Sequence, residues 1–121
     1  MVVATTVAAR SSCKKLNVGC VITKNNRILC TGYNGHIPGA PHDSFEVDGH
    51  EQMTIHAEIN ALLKLDYNNP KNKKMYLTLS PCLDCAKAII NSGIKEVIYK
   101  EDYRDTTGIE ILSKVISVKK Y

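Results

Sequence analysis

Two cysteines with the spacing of metal ligands follow a proline in the second half of the chain. Cys82 and Cys85 lie three residues apart in "SPCLDC", and both are predicted to lie on one face of the first turn of a helix. The partial positive charge of a helix N-terminus favours thiolates, the form of cysteine that binds metal ions. Two thiolates do not complete a tetrahedral site, so a further ligand is expected elsewhere in the chain.

A histidine and a glutamate at a second predicted helix start complete the site. His56 and Glu58 stand in "IHAEINAL". Residues two apart on a helix are separated by about 200°, so His56 is predicted as the third ligand and Glu58 as a group beside the open coordination position. Three protein ligands and one open position are typical of catalytic zinc, whereas structural zinc normally has four protein ligands. Two thiolates also neutralise the charge of zinc, so Glu58 is predicted to act as general base and acid.

Each of these signals has a structural alternative. A lone Cys-x-x-Cys pair is often structural, and a lone histidine at a helix start often packs or caps. The other cysteines, Cys13, Cys20 and Cys30, are expected to be buried packing residues, because free cysteine is among the most buried residue types. The combination is more specific than its parts, because His-x-Glu followed by Pro-Cys-x-x-Cys is the signature of zinc-dependent nucleobase deaminases.

The elements that must position these residues alternate between strands and helices. In the first half of the chain, the patterns predict a helix in "MVVATTVAAR", a β-hairpin from "VGCVITK" and "RILCTGYN", and a helix over "TIHAEINALLKLDY". A strand "KMYLTLS" follows, and then a helix from Pro81 to Ser92, capped by Ser80 and stopped by Gly93. The last predicted elements are a strand "IKEVIYK", a helix that begins with a capping box of Thr107 and Glu110, and a strand "VISV". Residues 35–53 are predicted to form a long irregular loop. The order predicts an α/β fold in which parallel strands are joined by right-handed crossovers beside an antiparallel hairpin.

Composition narrows the class of protein further. A chain of 121 residues with 44% hydrophobic residues fits one domain, residues 1–121. Five cysteines exclude a complete disulfide framework, and with no secretory leader recognised we expect a cytoplasmic, reducing location. No stretch has the length of a membrane helix. A net charge of +4, no tryptophan and one phenylalanine argue against a groove for polynucleotides.

The sequence resembles the cytidine and deoxycytidylate deaminases, and within that family it is most similar to the deoxycytidylate deaminases. Besides "HAE" and "PCLDC", the resemblance rests on "RSSC" from Arg10, "VGCVI" from Val18, "TGYNG" from Thr31 and "NSGIKEVIY" from Asn91, and it covers nearly the whole chain. It implies a three-layer α/β/α cytidine-deaminase-like fold with a five-stranded mixed sheet. In that fold the N-terminal hairpin is antiparallel and the C-terminal strands are parallel, within a single CMP/dCMP-type zinc deaminase domain.

The resemblance also implies an activity, which is zinc-dependent hydrolysis of dCMP to dUMP and ammonia, supplying dUMP for thymidylate synthesis. Glu58 is implied to move a proton from the attacking water to ring N3 and then to the departing amine. The implied substrate contacts are the Asn34 side chain with sugar and base, the Ala57 N–H with O2 of the base, the Ser80 carbonyl with the amino group, and Tyr103 with Arg104 as a gate over the nucleotide. Arg104 is also the candidate for the phosphate, with Arg10 and Ser11 as further candidates.

Regulation and assembly are implied by the resemblance alone. The segment "GYNGHIPG" resembles the loop that binds the effectors dCTP and dTTP, with Mg²⁺ accompanying a bound nucleotide, and the family implies a homohexamer. The residues of that predicted effector loop are Gly32, Tyr33, Asn34, Gly35, Pro38 and Gly39. Some relatives hold a second zinc with extra cysteines, but this chain has Asp43 and Glu51 where those cysteines would be expected. His42 and His50 remain, and a second metal is not expected.

Several alternatives stay open at this point. The substrate could be dCTP, a cytidine nucleoside, or a cytosine or adenine in tRNA or single-stranded nucleic acid. A non-catalytic zinc-stabilised interaction module is a further alternative, although such a module has no need of Glu58 and would require a fourth protein ligand. Tyr103 could pack at a helix edge, Arg10 and Arg104 could be solvated surface charges, and His36 is expected to face solvent.

Overall fold

A mixed five-stranded sheet forms the centre of the computed structural model, which describes residues 1–11, 17–36, 46–47, 50–51, 54–65 and 73–121. The strands are β1 (Gly19–Lys24), β2 (Arg27–Tyr33), β3 (Gly35–His36), β4 (Glu46–Val47), β5 (His50–Glu51), β6 (Thr54–Ile55), β7 (Lys73–Leu79), β8 (Glu96–Glu101) and β9 (Ser117–Lys120). The helices are α1 (Val2–Ala8), α2 (Ala57–Leu62), α3 (Leu83–Asn91) and α4 (Thr107–Val115). The large sheet has the order β2-β1-β7-β8-β9.

The pairing confirms the predicted α/β fold class. β1 pairs antiparallel with β2 and β7, whereas β7, β8 and β9 are parallel to one another. The turn of the hairpin is formed by Asn25 and Asn26, with φ of 50° and 65°. Two consecutive residues with positive φ are typical of a type I′ turn, which matches the twist of the flanking strands and favours asparagine.

Helices cover both faces of the sheet, as the three-layer prediction requires. Gly19 of β1 lies against the backbone of α1, and Gly32 of β2 lies against that of α2. On the face of the sheet that α2 covers, buried side chains of the strands pack with those of α2, α3 and α4 in one apolar cluster. The strand residues of this cluster include Ile22, Met75 and Leu77. None of the helices in the described part of the chain is long and apolar enough to cross a membrane.

Two predicted helix starts were wrong. Ser80 and Pro81 precede α3, whose N-cap is Cys82, so Ser80 does not cap this helix. The N-cap of α4 is Thr106, and Thr107 is already helical, so the predicted capping box at Thr107 and Glu110 was out of register. In both cases the neighbouring strand or connection, which pattern alone does not fix, sets where the chain turns.

The ends of the last helix and strand also differ from the predicted ones. Val115 belongs to α4, and the last strand begins at Ser117, because residues 117–120 pair with residues 96–99 of β8. The predicted loop over residues 35–53 contains short antiparallel pairs, β3 with β6 and β4 with β5. Its residues 37–45, 48–49 and 52–53 lie outside the described part of the chain. Gly93, with φ of 85°, follows α3 as predicted.

Candidate functional site

The N-termini of α2 and α3 meet at the edge of the sheet where β7 ends. His56 is the N-cap residue of α2, and Cys82 is the N-cap residue of α3, each with extended backbone and without a side-chain capping bond. Cys85 lies one turn further along α3. The side chains of both N-cap residues are therefore available to a ligand, and the positive ends of two helices favour negatively charged sulfur there.

His56, Cys82 and Cys85 form a potential zinc site. One ligand atom from each lies within 4.8 Å of the others. The Nδ1 atom of His56 is 3.2 Å from Sγ of Cys85 and 3.6 Å from Sγ of Cys82. His56 is exposed, Cys82 half-buried and Cys85 buried. Two sulfurs and one imidazole nitrogen are a donor set that suits zinc, and the exposed side leaves a position open for another ligand.

These three ligand groups share protons in the metal-free protein. The pKa of Cys82 is lowered to about 4, because the Cys85 thiol and the His56 ring donate hydrogen bonds to its sulfur. The same bond to Cys82, together with burial, raises the pKa of Cys85 well above its usual range. The hydrogen bond to Cys82 also raises the pKa of His56. A metal ion would take the place of the shared protons.

Glu58 lies in the first turn of α2 and is only 5% exposed. Burial raises the pKa of its carboxyl group, and a hydrogen bond with Cys85 and the charge of His56 oppose this effect. The carboxyl group is thus directly beside the three potential ligands. This is the place predicted for it from the two-residue offset to His56.

Asn34 lies at the same edge of the sheet, after β2. It is buried, its Oδ1 accepts a hydrogen bond of 2.8 Å from the Val18 N–H, and its carbonyl accepts one of 2.5 Å from Ser11 Oγ. The next residue, Gly35, pairs with Ile55, which directly precedes His56. Ala57 is the first residue of α2, so its N–H is one of those that a helix leaves without an intrahelical partner.

Arg10 and Ser11 are held to the β2 side of the site. The Arg10 guanidinium lies over the Tyr33 ring, 5.9 Å from the ring centroid, as in a cation–π pair. Asn60 of α2 donates a hydrogen bond of 2.7 Å to the Tyr33 carbonyl and so ties β2 to the helix that carries Glu58. Asn60 was not singled out from the sequence, because its partner is distant in the chain.

Ser80, Tyr103 and Arg104 come together on the β8 side of the site. Ser80 is buried directly after β7, and its Oγ accepts a hydrogen bond of 2.7 Å from the Tyr103 N–H. Tyr103 is half-buried and Arg104 is exposed, both in the connection from β8 to α4. The substrate roles predicted for these residues, and for Asn34, Ala57, Arg10 and Ser11, stay predictions.

Gly108 is a further residue at the site that sequence reasoning missed. It is buried in the first turn of α4, and a Cβ atom there would lie 2.2 Å from the Pro81 carbonyl oxygen and 2.8 Å from the Cys82 carbonyl carbon. Only a residue without a side chain allows α4 to pack this closely on the segment that carries Cys82. A glycine near a helix start is the only signal for this in the sequence.

Other predicted residues lie elsewhere or outside the description. Cys20 is buried as expected, and the half-buried Cys30 thiol donates a hydrogen bond to the Ala61 carbonyl. Gly32 packs against α2, and its predicted effector role is untested. The residues not described are Cys13, Pro38, Gly39, His42 and Asp43, together with the side chains of His36, His50 and Glu51.

A cavity of about 490 Å³ lies at the opposite end of the sheet and is not part of this site. Its lining includes Lys73, Lys74, Lys95 and Lys119, together with Glu96. Glu96 forms ion pairs with Lys74 and Lys119 at 3.4 and 3.2 Å. The zinc ligands lie instead at the carboxyl end of β7, the edge where open α/β sheets bind their ligands.

Comparison with known proteins places the chain in a family. The family model "Cytidine and deoxycytidylate deaminase zinc-binding region" matches residues 1–101. ComE operon protein 2 of Bacillus subtilis is 42% identical over 104 residues, which cover 81% of this chain and 55% of the relative. Deoxycytidylate deaminase of Saccharomyces cerevisiae is 37% identical over 134 residues, covering 100% of this chain and 43% of the relative. The chain thus spans about half the length of these two curated relatives.

A solved structure agrees over a larger share of its own length. The crystal structure of dCMP deaminase from the cyanophage S-TIM5, in complex with dCMP and dUMP, superposes with a TM-score of 0.89 at 35% identity. The match covers 98% of this chain and 91% of that one. The region matched by the family model contains all three potential zinc ligands and Glu58. The chain therefore belongs to the cytidine and deoxycytidylate deaminase family of zinc-binding proteins.

Proposed function

We propose that this protein catalyses the hydrolysis of dCMP to dUMP and ammonia. The observation that carries the proposal is the position of Glu58, a buried carboxyl group beside His56, Cys82 and Cys85. A purely structural metal site needs no such group. Two further findings support the proposal: the yeast relative, which aligns with the whole of this chain, is a deoxycytidylate deaminase, and the S-TIM5 enzyme was solved with dCMP and dUMP.

The residues present fit zinc, and His56, Cys82 and Cys85 would hold it. Zinc in such a site is a Lewis acid that makes water acidic enough to attack a carbon atom at neutral pH. Two cysteine thiolates neutralise the metal's charge, so the chain must supply its own proton acceptor. Glu58 is the acidic residue nearest the ligands on α2.

Glu58 must take up a proton and release it again in each turnover. It accepts one proton as the water attacks C4 of the cytosine ring, and it passes that proton to N3. It then takes the second proton of that water from the new hydroxyl group on C4 and gives it to the 4-amino group. The C4–N bond breaks, ammonia leaves, and the C4 hydroxyl becomes the carbonyl of uracil. The raised pKa that burial gives this carboxyl group suits both steps, because the protonated form is less disfavoured than in water.

Backbone groups at the start of α2 and directly after β7 would orient the base. The Ala57 N–H would meet the base O2, and the Ser80 carbonyl would accept a hydrogen bond from the 4-amino group. Asn34, held rigidly by its bonds with Val18 and Ser11, would contact the sugar. On the β8 side Arg104 would bind the 5′-phosphate, since a guanidinium can donate two parallel hydrogen bonds to it.

A substrate panel tests the proposal. Release of ammonia is measured with dCMP, dCTP, deoxycytidine, cytidine and an RNA hairpin containing unpaired adenosine and cytidine. The proposal predicts the highest kcat/KM for dCMP. A higher kcat/KM for dCTP, for a nucleoside or for the hairpin would contradict the proposal and would identify that compound as the substrate.

The same assay tests Glu58 itself. Glu58→Gln is expected to lower kcat by roughly 10²- to 10⁴-fold, while zinc content stays at one per chain, because Glu58 moves protons and does not hold the metal. Glu110→Gln is the matched control, since Glu110 is also in the first turn of a helix but is exposed. Near-normal turnover of Glu58→Gln would show that another group transfers the protons.

Regulation, assembly and location remain predictions beside this activity. We expect dCTP and dTTP, with Mg²⁺, to act through the predicted effector loop, of which Gly32, Tyr33, Asn34 and Gly35 lie in the described part. A homohexamer, a cytoplasmic location and a single domain over residues 1–121 likewise stay predictions. Kinetics with added dCTP and dTTP and a sedimentation measurement of mass address the first two.

A further inference from the structure

The connection from β8 to α4 is fixed at both ends by its own side chains. At its start, Asp102 accepts a hydrogen bond of 2.5 Å from Lys120 of the adjacent β9. At its end, Asp105 Oδ1 accepts hydrogen bonds of 3.0 Å from the Thr107 N–H and of 2.7 Å from the Thr107 hydroxyl. Both sets of bonds are exposed, and neither involves the segment that carries the potential zinc ligands.

Ser80 fixes the middle of this connection from the opposite side. Its N–H donates a hydrogen bond of 2.9 Å to the Glu101 carbonyl, and its Oγ accepts one of 2.7 Å from the Tyr103 N–H. Ser80 is 4% exposed, so water competes little for either bond. One buried residue thus bonds to the chain on both sides of Asp102 and sets the path of residues 101–103.

Arg104 depends on this tether for its position. Its side chain is exposed and forms no hydrogen bond or ion pair with any residue that the structure describes. The pKa of the neighbouring Asp105, which belongs to the same connection, is lowered by its hydrogen bonds with Thr107, and the charge of Arg104 contributes to this lowering. The position of the guanidinium therefore follows the path of this connection at Tyr103. A tether at the preceding residue restricts where the guanidinium can reach, and a group fixed in this way loses less entropy when it binds.

We propose that the Ser80 hydroxyl determines specificity for a 5′-phosphate by holding the Tyr103 N–H and thereby positioning Arg104. This role is separate from that of the Ser80 carbonyl, which would contact the base. Ser80 thus joins recognition of the base and of the phosphate, because the residue that follows β7 also orders the β8–α4 connection. The part of the proposal that concerns phosphate rests on the proposed function.

Hydrogen exchange tests the tether without using activity. In Ser80→Ala, the Tyr103 N–H loses its acceptor, and its exchange rate, measured by NMR in the zinc-loaded protein, is expected to rise about tenfold or more. Ser92→Ala is the matched control, because Ser92 is also buried and its Oγ bonds to the Ile89 carbonyl at 2.7 Å, at the far end of α3. Unchanged Tyr103 exchange in Ser80→Ala, or an equal rise in Ser92→Ala, would overturn the tether.

The ratio of kcat/KM for dCMP to kcat/KM for deoxycytidine tests whether the tether affects phosphate recognition. Ser80→Ala is expected to lower kcat/KM for dCMP about tenfold more than for deoxycytidine, whereas Ser92→Ala lowers both equally through stability alone. Ser80→Thr keeps the acceptor and should restore the ratio, which also covers the case that Ser80→Ala folds poorly. An equal loss on both substrates in Ser80→Ala, with faster Tyr103 exchange, would confine the hydroxyl to structure and overturn the specificity role.

The proposed function fails in a different way. If the unaltered protein does not prefer dCMP to deoxycytidine, both the proposed substrate and the specificity role are wrong, while the exchange rates still decide whether the tether exists. If Arg104→Ala leaves the ratio unchanged but Ser80→Ala lowers it, the hydroxyl acts on a phosphate contact other than Arg104. The claim that it positions Arg104 is then overturned.

Discussion

At the scale of single residues, two of the three potential zinc ligands, Cys85 and His56, hold protons that a metal ion must displace. Cys82 is the thiolate of the pair, because Cys85 and His56 donate hydrogen bonds to it, and for the same reason Cys85 keeps its proton at neutral pH. His56, whose pKa is raised, keeps a proton to a higher pH than a free histidine does. Zinc requires thiolate sulfur and neutral imidazole, so binding the metal must release protons.

Zinc binding should therefore strengthen as pH rises. Above the raised pKa of His56, loading releases chiefly the Cys85 proton, and the zinc affinity is expected to rise about tenfold per pH unit. Below that pKa the His56 proton is released as well, and the dependence steepens. Competition with a chelator of known pH dependence, at several pH values, measures this slope.

Cys30→Ser is the control for this measurement, because Cys30 is half-buried and bonds to the Ala61 carbonyl, outside the ligand group. It should show the same slope as the unaltered protein. A zinc affinity that does not change with pH, after correction for the chelator, would contradict the shared protons.

The ligands could be predicted from the sequence, and the Ser80 hydroxyl could not. Spacing places Cys82 with Cys85 and separates His56 from Glu58, because both relations lie within one helical turn. The bond from Ser80 to Tyr103 joins residues 23 apart in the chain. No local pattern encodes it, since it depends on the parallel pairing of β7 with β8.

At the scale of elements, α4 determines the position of the Cys82 segment. The Pro81 and Cys82 backbone lies against Gly108, closer than any side chain would permit. The sequence predicted a helix here but began it with the wrong cap. Thr106 is the N-cap residue, and its hydroxyl bonds to Glu110 at 3.3 Å. The segment "DTTG" does not show which residue begins the helix, because either threonine can be an N-cap residue.

Gly108→Ala should separate α4 from the zinc ligands. Alanine favours a helix over glycine by about 1 kcal/mol, but its Cβ would overlap the Pro81 carbonyl oxygen, and overpacking of this kind costs about 1 to 3 kcal/mol. We therefore expect a lower melting temperature and zinc affinity reduced about tenfold. Thermal unfolding of the zinc-loaded protein and chelator competition measure the two effects.

Ser113→Ala provides the comparison on the same helix. Ser113 is exposed, so this change raises helix propensity without adding a contact to the Cys82 segment. It should leave zinc affinity unchanged. If Gly108→Ala binds zinc as tightly as Ser113→Ala does, the close packing of α4 does not position the ligands.

At the scale of the whole molecule, the sheet brings two sides of the site to one edge. The antiparallel hairpin returns the chain to Tyr33 and Asn34, while the parallel strands end at Ser80 and Glu101. Arg10 lies on the β2 side and Arg104 on the β8 side. The parallel direction of the C-terminal strands was predicted correctly, because crossover helices impose parallel strands. The sequence favoured Arg104 for the phosphate but left Arg10 as an alternative, because its pattern does not show which contacts each arginine makes in the fold.

Substitution of Arg10 and of Arg104 should have different effects on the preference for a phosphorylated substrate. Arg10 already lies over the Tyr33 ring, whereas Arg104 forms no ion pair within the described residues, so we expect Arg104 to be the phosphate ligand. Arg104→Ala should then lower kcat/KM for dCMP, relative to deoxycytidine, by roughly 2 to 4 kcal/mol, the scale for losing a charged pair at a partly desolvated site. Arg10→Ala should change the ratio little.

The deciding measurement is kcat/KM for both substrates with each variant at one ionic strength, because exposed charges are screened by salt. A larger loss of selectivity in Arg10→Ala would place the phosphate on the β2 side, where Ser11 could also contact it.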